Sequence, residues 1–204
     1  MPKQVDHEAR RLELLDALMR ITRADGWDAI TVRRVAAEAG TSVGTVQHYF
    51  STKDEMLRFA IEMMADDTRR RIRERVAALP QPAGPRVLVE TVLTEMIPDP
   101  KRRPTEAEAA DVWMRRFTLS RSSTAMLAEG GRDLMTALVD QIRAGRGGDA
   151  ADARRDAGAL IALLDGLIFN IVVGTQTAET AIATIRAQLD YVFGNSVAPD
   201  TASR

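Results

Sequence analysis

Residues 30–53 read ITVRRVAAEAGTSVGTVQHYFSTK, and this stretch decides the fold: two short helices around a tight turn. Val32, Val35, Ala36 and Ala39 recur at i, i+3, i+4 and i+7, one apolar stripe behind Thr31, whose hydroxyl suits an N-cap. Gly40 stands where that helix would end, because glycine enters the left-handed backbone region without a Cβ clash. Thr41 or Ser42 then caps the next start. In the second helix Val43, Val46 and Phe50 line one side. At about 100° per residue, Gly44, Thr45 and His48 point the opposite way, flanked by Gln47 and Tyr49. A short helix braced from behind and polar outside has the shape and chemistry that a DNA major groove admits.

The outward group has matching chemistry. Thr45 reaches a base edge or a phosphate, and Gln47 both donates and accepts towards adenine. Gly44 lets backbone come close, while His48 and Tyr49 hydrogen-bond to phosphates. Structural readings stand beside these. Thr31 serves as a cap as readily as a phosphate ligand, Val43 lies on the inner stripe and reads as packing, and Tyr49 borders the buried side.

The segment resembles the DNA-binding region of the TetR family of bacterial transcriptional regulators, whose recognition helix reads much like VGTVQHYF and runs into a lysine such as Lys53. The resemblance implies phosphate contacts from Thr31, Arg33, Tyr49 and Lys53, and base or groove contacts from Val43, Thr45, Gln47 and His48. It also implies a homodimer on double-stranded operator DNA, an unknown small-molecule effector, and repression. It covers the first quarter of the chain strongly and the rest through architecture.

Composition sets the frame. In 204 residues, 45% hydrophobic and 28% charged side chains describe an ordinary soluble protein with room for a core. There is no cysteine, so disulfide and thiolate chemistry are excluded. The start MPKQVDHEARR carries neither an apolar signal core nor a membrane span, which leads us to expect a cytoplasmic protein without a membrane partner. His7 and His48 are the two histidines and imply no metal; no cofactor loop is present either. They are also misplaced as bases for a serine hydrolase, and carboxylate pairs such as Asp66 and Asp67 or Glu106 and Glu108 occur in any helical protein. No enzyme is expected.

The net charge of −1 runs against a bulk-electrostatic DNA binder. Within residues 1–60, Lys3, Arg10, Arg11, Arg20, Arg23, Arg33, Arg34, Lys53 and Arg58 are matched by Asp6, Glu8, Glu13, Asp16, Asp25, Asp28, Glu38, Asp54 and Glu55. Affinity must then come from directed contacts and from two heads binding together.

The chain reads as all-α, about nine helices: an N-terminal three-helix helix-turn-helix DNA-binding domain, residues 1–52, and a C-terminal helical ligand-binding and dimerisation bundle, residues 53–204. An amphipathic helix over 7–25 carries Leu14, Leu18 and Ile21 and ends near Gly26. Thr52 with Glu55 forms a capping-box pattern that opens a long helix over 53–79, stopped by Pro80 and Pro82. Arg69 to Arg71, Arg73 and Arg75 lie roughly 24 Å or more beyond Lys53 at 1.5 Å per residue, so they read as a solvated face. Further helices are expected over 84–97, 104–121, 123–145, 152–174 and 178–194, with Gly145, Gly147 and Gly148 in a loop and IFNIVV at 168–173 helical.

The helix over 152–174 is apolar nearly all round, so more than one side must be covered. Packed with the last helix against twofold mates, it would form a four-helix dimer interface through Leu160, Leu164, Leu167, Ile171, Ile182, Ile185 and Leu189. The alternative is that these residues are internal core. Ligand-pocket candidates are the large or soft side chains Met96, Trp113, Met114, Phe117, Met126 and Phe169, with Asp165 and Asn170 as polar interruptions of an apolar helix. DVWMRRFTLS and ALIALLDGLIF resemble, loosely, the C-terminal domain of the choline-responsive (BetI-like) branch of the family.

Overall fold

Capping chemistry sets the helix boundaries in the computed structural model, which describes residues 3–99, 101 and 121–194. Among the described residues there are eight α-helices and no strand: α1 (Lys3–Asp25), α2 (Val32–Glu38), α3 (Val43–Tyr49), α4 (Lys53–Ala77), α5 (Pro85–Met96), α6 (Arg121–Arg146), α7 (Ala150–Val172) and α8 (Ala178–Val192). The helix expected over 104–121 falls outside the described residues, apart from Arg121 at the start of α6. Five starts share one device. Thr31, Ser42, Asp149 and Thr177 each accept a backbone N–H of the first turn on a side-chain oxygen. At α4, Thr52 Oγ1 accepts from Glu55 N at 3.1 Å, while Glu55 reaches back to Ser51 N at 2.8 Å rather than to Thr52.

By contact the described chain divides into two units, Thr68 opening the second of them within α4. In the first, α1 packs on α2 and α2 on α3. Its core holds Leu14, Ala17, Leu18 and Ile21 from α1, Val35 and Ala36 from α2, Val46 from α3, and Phe50 and Met56 beyond it. In the second, α7 packs on α8 and α8 on α5. Arg86 on α5 donates to Asp190 through both Nε and Nη2, at 3.1 and 2.5 Å, and to Glu90 through Nη1 at 2.8 Å. Arg186 closes the network on Glu90 at 2.7 Å, so α5 and α8 are joined by charge as well as by packing.

Three expectations change. Leu160, Leu164, Leu167, Ile185 and Leu189 are 0–4% exposed within a single chain. They are core rather than partner-facing, because a helix apolar on all sides carries no phase to tell its inner face from its outer one. Ile171 and Ile182 are half-buried. Gly145 lies in the last turn of α6 rather than in a loop; a Cβ there would come within 2.5 Å of the Phe193 ring and 3.2 Å of Pro85. Arg71 and Arg75 both turn to Glu95 on α5, at 3.8 and 3.0 Å, tying two helices together; Arg71 is 20% exposed and so leaves the solvated face, whereas Arg75, 66% exposed, pairs from it.

Candidate nucleic-acid interface

The turn that sets α3 is built by the backbone. Gly40 takes φ +61°, and the N–H groups of Gly40 and Thr41 return to the carbonyls of Ala37 and Ala36. Arg10 of α1, paired with Glu13, donates to Thr41 Oγ1 at 2.8 Å and so ties α1 to the turn. Arg34 pairs with Asp25, and Arg20 with Glu38 at 2.6 Å. These cations are engaged within the unit, which agrees with directed contacts rather than bulk charge as the source of DNA affinity.

From this turn α3 buries Val46 and Phe50, 0% and 2% exposed, and turns Gly44, Gln47 and His48 to solvent. Thr45 is half-buried, its hydroxyl 2.9 Å from Ser42 Oγ, the atom that caps the helix. Val43 is 38% exposed and is not part of the inner stripe, since it opens the first turn where no neighbouring helix covers it. Its methyl groups are available to an apolar contact such as a thymine methyl. A Cβ on Gly44 would meet only Ser42 Oγ, at an ordinary 3.7 Å, so the chain's own packing does not demand glycine there.

Around this face, Thr31 caps α2 through Arg34 N at 3.2 Å, and Arg33 is exposed. Lys53 Nζ donates to the Asp28 carbonyl at 3.4 Å. Tyr49 is half-buried, and its ring meets those of His48 and His7, at 5.2 and 4.4 Å between centroids. His7 is the neighbour that sequence reasoning missed. The helix expected from residue 7 begins instead at Lys3, and His7 in its second turn reaches α3.

Taken together, the unit offers a polar helix face on a rigid two-helix brace. A family model described as bacterial regulatory proteins, tetR family, matches residues 14–59. The HTH-type transcriptional regulator PksA of Bacillus subtilis is 32% identical over 180 residues, covering 85% of this chain and 83% of the relative. The chain belongs to the tetR family. As a member of it, the protein is a DNA-binding transcriptional regulator and not an enzyme. The HTH-type transcriptional regulator BetI of Agrobacterium fabrum is 29% identical over 193 residues, 95% of this chain and 90% of that one. A crystal structure of a transcriptional regulator from Rhodococcus sp. RHA1 superposes with a TM-score of 0.75 at 26% identity, covering 93% of this chain and 99% of that one. A regulator from Saccharomonospora viridis in complex with choline shares the fold, with a TM-score of 0.74 at 20% identity over 87% of this chain and 94% of its own.

Of the expected ligand-site residues, the side chains of Met96, Asp165, Phe169 and Asn170 lie among the described residues of this tetR-family chain. Trp113, Met114 and Phe117 lie outside the described residues, as does the side chain of Met126. Met96 and Asp165 are half-buried. Asn170 closes the end of α7: its carbonyl accepts from Thr175 N at 2.9 Å, and its amide faces Gln176 at 3.5 Å. Phe169 is 46% exposed and faces outward. It sits on a stripe with Ala159, Ala162, Gly166 and Val173 along α7, and α8 shows a similar one through Ala183, Ala187 and Tyr191. An open surface cleft of about 510 Å³ lies at Gly147 and Gly148, with Arg146 paired to Asp156 and Arg155 to Asp152. No described helix is long and apolar enough to cross a membrane.

Proposed function

We propose that the protein is a cytoplasmic homodimeric repressor that reads a roughly palindromic operator through α3 and leaves it when a small molecule binds its C-terminal helices. The observation that carries this reading is the division of α3. Val46 and Phe50 are sealed in the core while Val43, Gly44, Gln47 and His48 stay open. In the proposed role division, Thr31, Arg33, Tyr49 and Lys53 hold phosphates, and Val43, Gly44, Thr45, Gln47 and His48 enter the groove. Residues 1–52 form the DNA-binding domain and 53–204 the effector and dimer domain.

Dimerisation follows from the outer faces of α7 and α8 rather than from their leucines. Phe169, Val173 and Tyr191 are 46%, 50% and 71% exposed, and small residues between them permit close helix approach. Two copies meeting there form a four-helix interface. The two α3 helices then have to sit about 34–36 Å apart to enter successive major grooves. The effector candidates are those read from the sequence: Met96, Trp113, Met114, Phe117, Met126, Asp165, Phe169 and Asn170. An effector releases DNA only if it binds the two spacings with different affinity.

Selecting duplexes from a random-sequence pool with the purified protein tests this reading. Enrichment of inverted repeats, together with a dimer mass by light scattering, is the expected result. Failure to enrich any sequence at moderate ionic strength would overturn it. A metabolite panel added to the selected complex then tests release; silence from every compound would remove the effector step and leave a constitutive regulator.

A further inference from the structure

The chain's two histidines are far apart in sequence and share one patch. His7 on α1 and His48 on α3 have ring centroids 5.9 Å apart, in an edge arrangement, and both rings also meet Tyr49. Both histidines are exposed. Tilted and edge contacts of this kind are favourable and directional, so the His7 ring restrains the orientation of the Tyr49 ring. We propose that His7 is a positioning residue of the DNA-reading surface, holding the Tyr49 ring for phosphate contact. This rests on α3 being the DNA-reading helix.

The neighbouring cations are engaged elsewhere: Arg10 by Glu13 and Thr41, Arg11 over the Phe59 and Phe50 rings at 4.2 and 5.5 Å, and Lys53 at the Asp28 carbonyl, whereas His7 puts its ring on Tyr49.

The test uses untagged full-length protein and a labelled duplex taken from the random-pool selection, with fluorescence anisotropy at pH 8 and fixed ionic strength. His7→Ala should weaken binding about threefold or more, by loss of the ring contact that steadies Tyr49. His7→Phe, which keeps a ring against Tyr49, should recover most of that loss, and in a Tyr49→Phe background, which lacks the phosphate-binding hydroxyl, His7→Ala should have little further effect. Equal affinities of His7→Ala and His7→Phe, or an undiminished His7→Ala loss in the Tyr49→Phe background, would overturn the proposal. Far-ultraviolet dichroism of each variant excludes unfolding as the cause. Binding of the unmodified protein at pH 8 reports on the DNA-reading assignment separately.

Discussion

Gly44→Ala separates folding from DNA reading at a single methyl group. The added Cβ would contact only Ser42 Oγ, at 3.7 Å, an ordinary van der Waals distance. The residue sits in α3 (Val43–Tyr49) with helical backbone, where alanine is favoured over glycine by about 0.5–1 kcal/mol. For a chain of this size that corresponds to a rise in Tm of about 1–4 °C. The same methyl group points from the exposed face of the helix into the space assigned to the groove. Forcing one methylene into a close-packed contact costs about 1–3 kcal/mol, and every 1.4 kcal/mol is tenfold in affinity. DNA affinity should therefore fall roughly five- to a hundredfold while stability rises. Thermal unfolding followed by circular dichroism and anisotropy titration on the selected duplex measure the two quantities in one preparation. Unchanged affinity would refute the placement of Gly44 in the groove, and a lowered Tm would refute the open space around its Cα.

Gln47→Ala should relax base preference, whereas Lys53→Ala should weaken all duplexes alike; identical specificity profiles from a repeated selection would contradict that division of roles. Ala162→Glu, on the exposed face of α7, should give folded monomers by light scattering, whereas Leu164→Glu, with its site 1% exposed, should lower stability by several kcal/mol in urea unfolding. A dimeric Ala162→Glu would move the interface elsewhere. Gly145→Ala should destabilise the unmodified chain, because overpacking against Phe193 by about 1–3 kcal/mol exceeds the helix gain of about 1 kcal/mol. In a Phe193→Ala background the same change should stabilise, and the sign is read from a double-mutant cycle by denaturant unfolding.

The helix-turn-helix was legible because its determinants are local. The stripe of Val35 and Ala36, the turn at Gly40 with φ +61°, and the hydroxyl caps at Thr31 and Ser42 all act within a few residues of themselves. Periodicity and capping therefore assign the inner and outer sides of α3, apart from Val43 in its first turn, which lacks a covering neighbour. The all-helical class follows from the same local rules, including the helical state of IFNIV at 168–172, with Val173 as the C-cap of α7.

Tertiary structure decided what local pattern leaves degenerate. A helix apolar on every side has no preferred phase, so only packing against α8 shows that Leu160, Leu164 and Leu167 face inward and that Ala162, Gly166 and Phe169 remain outside. Gly145 reads as a loop glycine until Phe193, distant in sequence, is seen against it. His7 reads only as the start of an amphipathic helix until its ring is found on Tyr49. In each case the missing information is a contact between residues far apart along the chain, which no nearest-neighbour preference encodes.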